Sequence, residues 1–214
     1  MIIQKVHEQI YHVRFKSQNN LSKTFCRFQQ HFESPFFKGK YFSMASFKRW
    51  YITHSPDAKK TGRFTYYQDW AGYNVPSYVF KPFQKGKFDP LSPEETALLT
   101  VLPLKEKKKF YVIGTYGNHT KDTIQHEIAH GLFFTNKEYR KDMLRLIYQI
   151  DKQSREAINH HFAQTKGYHH DVWLDETHAY IMTMLDHLKK NGVNINPLKN
   201  INKEMNILFK KYVP

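Results

Sequence analysis

The chain has 214 residues, 40% of them hydrophobic and 16% aromatic, with 33 Lys+Arg against 19 Asp+Glu and a formal net charge of +14. That length suits one domain, or one domain with a lobe, and the apolar content can build a core. No run of roughly eighteen apolar residues is present to span a membrane, and the single cysteine, Cys26, excludes internal disulfides and fits a reducing cytosol.

Met1 to Glu8 carry no continuous apolar h-region, so the expectation is a chain without a Sec signal peptide, placed in the cytoplasm. Export by a route without a cleavable signal leaves no trace in such a sequence. The charge is uneven: residues 1–120 hold 19 Lys+Arg against 8 Asp+Glu, and residues 121–214 hold 14 against 11. Aromatic residues crowd the same basic part, where Phe25, Phe28, Phe32, Phe36, Phe37, Tyr41, Phe42, Phe47, Trp50 and Tyr51 alternate with Arg27, Lys38, Lys40, Lys48 and Arg49. Such interleaving serves a core, or it stacks bases and neutralises phosphates, which makes nucleic-acid binding the rival reading of this region.

Along the first ninety residues the patterns are short, with a possible strand at Arg63 to Gln68 and a turn-rich stretch from Trp70 to Pro76. Ser92-Pro93-Glu94-Glu95 is a clear helix start, with an N-cap, proline at N1 and glutamate at N3, and the helix it opens ends before Pro103. Lys105 to Lys109 is a basic connector into a strand at Phe110 to Ile113, closed by the turn signals Gly114 and Gly117-Asn118. Asp122-Thr123-Ile124-Gln125 resembles a capping box, and Ile124, Ile128 and Leu132 mark an apolar side at i, i+4 spacing. Asn136-Lys137-Glu138 begins a further helix carrying Tyr139, Met143, Leu146, Ile147 and Ile150. Another covers Ser154 to about Gln164, one opens within Asp171 to Tyr180 and runs to about Lys190, and a last runs from Pro197 to Lys211.

The helix from Asp122 carries His126-Glu127-Ile128-Ala129-His130. On a helix the two histidines lie one turn apart on one face, where both imidazoles reach a single Zn²⁺, and Glu127 stands slightly off that axis, placed to hold a water. Catalytic zinc takes three protein ligands, so a third is needed. Glu176 is the first choice, because it is helix-borne and has Ala179 one turn on, a small residue that lets two helices approach closely. His170, in a loop after Lys166-Gly167, keeps a three-histidine alternative open. His178 falls on a different helix face from Glu176 and reads as a surface histidine.

On His126, Glu127, His130, Glu176 and Ala179 the chain resembles the gluzincins, zinc metallopeptidases that pair H-E-x-x-H with a downstream glutamate. The resemblance covers about Phe110 to Lys190 and is closest to the minimal, single-unit members. It implies that His126, His130 and Glu176 bind zinc and that Glu127 is the general base of peptide-bond hydrolysis. It also implies a tyrosine upstream of the glutamate ligand as oxyanion donor, a place that Tyr168 or His169 occupies here. Many gluzincins have an aspartate four residues after that glutamate to orient a zinc histidine. This chain has Tyr180 there, leaving Asp175 or a backbone carbonyl for the task.

The reading is an α+β, zincin-like fold: a small mixed sheet with an edge strand just before the active-site helix, able to take substrate as an added strand, and a mostly helical C-terminal half. Residues 1–104 form a basic, aromatic-rich lobe and 105–214 the zincin-like portion, unless the whole is a single compact domain. The function read from it is zinc-dependent peptide or protein hydrolysis, with a possible preference for acidic substrates. The alternatives are a nucleic-acid-binding protein, or a partner-binding protein on a non-catalytic scaffold.

Overall fold

In a computed structural model, which describes residues 1–117, 121–165 and 168–213 and no side chain of 121–123, the chain opens with a β-hairpin. Strands β1 (Ile2–His7) and β2 (Ile10–Phe15) pair antiparallel around the turn Glu8-Gln9, where Gln9 takes φ +66°. Helix α1 (Gln18–Glu33) follows, burying Leu21, Phe25, Phe28 and Phe32 at the spacing of one helical stripe. Helices α2 (Met44–His54), α3 (Pro56–Thr61) and α4 (Tyr66–Asp69) lead to β3 (Gly72–Pro76), and α5 (Lys81–Gln84) and α6 (Pro93–Val101) to β4 (Tyr111–Tyr116). The sheet order is β1-β2-β4-β3, with β2 and β4 parallel and the other neighbours antiparallel, so the sheet is small and mixed.

Three expectations change here. The segment expected as a strand at 63–68 instead winds into α4, where the buried Tyr66 ring meets Phe47 at 5.3 Å and Tyr73 at 6.4 Å. The turn-rich stretch after it supplies the strand β3, whose residues 73–76 are buried. The strand before the H-E-x-x-H helix is not an edge. β4 is hydrogen-bonded by β2 on one side and β3 on the other, so its backbone groups are taken, and the edges are β1 and β3.

Gly114 lies inside β4 instead of closing it. A Cβ there would stand 2.6 Å from Phe25 Cε2 and 2.8 Å from Leu21 Cδ1, so only glycine lets α1 pack this closely on the strand. The capping box at Ser92 is present, with Glu95 N–H donating to Ser92 Oγ and Ser92 N–H donating to Glu95 Oε2. Glu95 is also the buried partner of Arg27, whose guanidinium donates further to the carbonyls of Phe88 and Pro90. Of the aromatics interleaved with cations, Phe25, Phe28, Phe32, Phe37 and Phe47 are core. Those five are half of the ten, while Phe36 and Tyr41 are exposed.

The chain divides into two compact units, residues 1–32 with 37–119, and 33–36 with 120–214. The boundary expected after residue 104 precedes β4, the strand that joins β2 to β3. Among its described residues the second unit has helices and connecting turns and no strand. It contains α7 (Lys121–Thr135), α8 (Lys137–Ile147, capped by Asn136), α9 (Lys152–Thr165), α10 (Trp173–Thr183), α11 (Leu185–Lys190) and α12 (Lys199–Tyr212). The capping side chain of Asp122, the turn residue Asn118 and the loop residues Lys166-Gly167 lie outside the described residues.

Expected as one helix, the segment from 171 to 190 breaks at Met184. Asn202 Nδ2 of α12 donates to the carbonyls of Ile181 at 2.7 Å and Met182 at 3.0 Å, supplying hydrogen bonds that continued helix would otherwise provide. Helix α10 is buried from Glu176 to Met182 and packs against α7, α8 and α12. No helix among the described residues is long and apolar enough to cross a membrane.

Candidate metal centre

Helix α7 buries Ala129, Leu132 and Phe133, and the same winding brings His126 and His130 together on another face. Their rings are 4.9 Å apart and nearly perpendicular, with the two Nε2 atoms 3.3 Å from each other. Glu176 comes from α10, which packs on α7 through the fully buried Ala179, and its Oε2 stands 3.8 Å from His130 Nε2. Ligand atoms of His126, His130 and Glu176 lie within 4.8 Å of one another. The three residues expected to share a metal are thus brought together across 46 to 50 positions of sequence (176 − 130 and 176 − 126).

Each imidazole is held from behind. His126 Nδ1 is 2.7 Å from Thr183 Oγ1, and that hydroxyl donates to the Ala179 carbonyl, so it accepts from Nδ1–H and leaves Nε2 bare. His130 Nδ1 is 2.9 Å from Asp175 Oδ1, which sets the same tautomer once the ring is neutral. Asp175 therefore takes the orienting place that Tyr180 cannot. Thr183, seven residues after Glu176 and so on its face of α10, is the orienting group that sequence reading missed. Two turns of helix are the signal that could have found it.

The donor set fits zinc. Tetrahedral Zn–N bonds of about 2.0–2.1 Å put two nitrogen ligands roughly 3.3–3.4 Å apart, the separation of the two Nε2 atoms. Glu176 Oε2 is buried without a hydrogen-bond partner among the described residues, a costly arrangement unless a cation meets it. Burial acts against charge on every group here. It lowers the His130 pKa, yet Asp175, Glu176 and Glu127 outweigh it and hold the ring up at about 10. Burial also pushes the Glu176 carboxyl well up, against the pull of His130 and with help from Glu33, Asp175 and Glu127. Asp175 is held at about 2, because His130 and His178 overcome its burial. His126 is driven well below the usual imidazole range, by burial first and by His130 next.

Glu127 is buried beside this group, as its influence on His130 and Glu176 shows. The Tyr168 hydroxyl lies 3.3 Å from that of Tyr180, whose ring stands 5.7 Å from His126. Burial lifts both phenols, with Glu176 adding to it, Tyr180 to about 12, so both stay protonated at neutral pH. Glu33, from the end of α1, joins this unit: its carbonyl accepts from His169 N–H at 2.7 Å, and its charge is felt by Glu176, Tyr168 and Tyr180. Nothing local in the sequence marks it.

His178 is not a surface histidine. It is fully buried, its Nδ1 within 3.4 Å of Asp175 Oδ1 and its Nε2 3.0 Å from the Tyr139 hydroxyl, with Phe133 stacked on the ring at 4.9 Å. Helix α10 is packed on several sides, so a different face from Glu176 is still interior. His170 groups with His169 and Asp171 and not with His126 and His130.

Compared with known proteins, the chain matches no family model, no curated protein and no solved structure.

Proposed function

We propose that this chain is a zinc metallopeptidase of the gluzincin kind on a zincin-like fold, with His126, His130 and Glu176 as metal ligands. The observation that carries the reading is the convergence of those three side chains, with both imidazoles turned by Thr183 and Asp175 so that their Nε2 atoms face a buried carboxylate and are both bare once His130 gives up its proton. Zinc held there would supply Lewis acidity for polarising a peptide carbonyl and acidifying water. Glu127, one residue from His126 and buried beside the ligands, takes the proton of the attacking water and passes it to the departing amine. Tyr168, with Tyr180 beside it, offers a protonated phenol to the developing oxyanion. Peptides or proteins are the substrates, and the basic residues of 1–120 favour acidic ones.

The test is zinc per chain after exhaustive chelation of the buffer, by elemental mass spectrometry, on the wild type beside Glu176→Ala. About one tightly held zinc in the wild type and clear loss in the variant are expected. A wild type that takes up no zinc even on reconstitution overturns the reading. Cleavage of a peptide library then separates catalysis from binding, since Glu127→Gln is expected to keep zinc and lose turnover.

A further inference from the structure

His169, His170 and Asp171 stand at the start of α10 in the second unit. In a 3₁₀ turn successive side chains are set about 120° apart and point away from one another. Here three consecutive side chains converge. His169 precedes the turn His170–Val172 with extended backbone, φ −70° and ψ 144°, which swings its ring back over its neighbour until the two rings are 4.2 Å apart. The Asp171 carboxylate then reaches both, with Oδ2 at 3.4 Å from His169 Nδ1 and Oδ1 at 3.1 Å from His170 Nε2. Ligand atoms of all three residues fall within 4.8 Å of one another.

The backbone beneath is tied down in part by the cluster, since Asp171 N–H donates to His169 Nδ1 at 3.3 Å, and in part by groups outside it. His169 N–H donates to the Glu33 carbonyl at 2.7 Å, Val172 N–H to the His169 carbonyl at 3.0 Å, and Trp173 Nε1 to the Tyr168 carbonyl at 3.3 Å. The His170 and Asp171 side chains are open to solvent, at 71% and 53%, while His169 is half-buried at 25%. Two imidazoles and a carboxylate, held on an anchored turn and reachable from water, form a set suited to borderline divalent transition metals and poor for Mg²⁺ or Ca²⁺.

We infer that His169, His170 and Asp171 form a second metal site, exposed and exchangeable, that takes Zn²⁺, Ni²⁺ or Cu²⁺ with water completing the coordination. It is separate from the buried group of His126, His130 and Glu176 and fills whether or not that group holds zinc. An exposed three-ligand site loses metal to dialysis that a buried site resists.

Ni²⁺ is the probe. Full-length protein, reconstituted with zinc and freed of excess by gel filtration, is titrated with Ni²⁺ by calorimetry. The wild type is expected to bind about one Ni²⁺ that leaves on dialysis, and His170→Ala and Asp171→Asn to weaken it roughly tenfold or more, at least what an outer-shell change costs at a metal site. Glu176→Ala is expected to retain it, so that failure at the buried site and failure here read differently. Unchanged Ni²⁺ binding in both turn variants, or no exchangeable Ni²⁺ in the wild type, overturns the proposal. Cu²⁺ paramagnetic resonance on unmutated protein gives a second measurement. Nitrogen couplings lost in the His169→Ala, His170→Ala double variant support the site, and couplings unchanged in it count against the site.

Discussion

The Tyr139 hydroxyl lies 3.0 Å from His178 Nε2, and through it helix α8 reaches the candidate ligand His130. His178 Nδ1 faces the Asp175 backbone carbonyl at 3.0 Å and its Oδ1 at 3.4 Å, and that Oδ1 stands 2.9 Å from His130 Nδ1, so Tyr139, His178, Asp175 and His130 lie in one chain of contacts. Asp175→Asn removes the charge that orients His130 and is expected to weaken zinc roughly 10- to 100-fold. Tyr139→Phe acts one step further back. It leaves a buried imidazole nitrogen without its partner, costing about 1–3 kcal/mol of stability, and weakens zinc less than Asp175→Asn does. Competition with a chromophoric chelator gives the order of affinities, and equal affinity in the wild type and Asp175→Asn refutes the chain.

Zinc uptake should release protons at neutral pH. In chelator-treated protein His130 titrates near 10, facing Asp175 and Glu176 from α10 and Glu127 from its own helix, with His126 and His178 acting against it. A folded value above the unfolded 6.5 or so contributes stability that is complete below about pH 6.5 and lost as pH rises through about 10. The chelated protein is therefore expected to melt at falling temperatures from pH 7 to 10, while the zinc-loaded protein, with His130 already neutral, does not share that loss. Calorimetry in buffers of different ionisation enthalpy counts the released proton directly. A heat independent of the buffer sinks this account.

The convergence of His126, His130 and Glu176 was legible because these residues obey helical arithmetic. His126 and His130 stand at i, i+4, and Glu176 and Ala179 at i, i+3 on the helix that meets them, both about one turn. His178 misled for the same reason, since an amphipathic reading assigns one face to solvent and α10 has neighbours on several faces. The first ninety residues were hard to read because their elements are decided by distant partners. Trp70 to Pro76 look like a turn until β4 pairs with residues 72–76, and further on Gly114 looks like a turn signal until α1 is laid over it. The hairpin of β1 and β2 has no Asn-Gly or Asp-Gly at its turn, only Glu8-Gln9, so the strongest local mark of a hairpin was missing.

Gly114→Ala is expected to destabilise the first unit by about 1–3 kcal/mol, the usual cost of overpacking. The new Cβ meets Phe25 and Leu21, both fully buried and without room to swing away. Thermal melting followed by circular dichroism checks it. A variant as stable as the wild type shows that α1 can lift off the strand at no cost.

Arg27 and Glu95 form the buried ion pair of the same unit, and each serves a second task. Glu95 closes the capping box of α6, and Arg27 holds the carbonyls of Phe88 and Pro90 while its guanidinium lies 5.5 Å from the Phe88 ring centre. Glu95→Ala strips the arginine of its counter-charge in the interior and is expected to cost about 3–5 kcal/mol. Arg27→Met with Glu95→Leu removes both charges and should recover part of that, though not all, because two carbonyls and the cap of α6 still lack donors or acceptors. Urea unfolding of the single and double variants decides between the two contributions. If the double variant is no more stable than Glu95→Ala, relief of the stranded charge is worth no more than the two carbonyl bonds that Arg27 supplies.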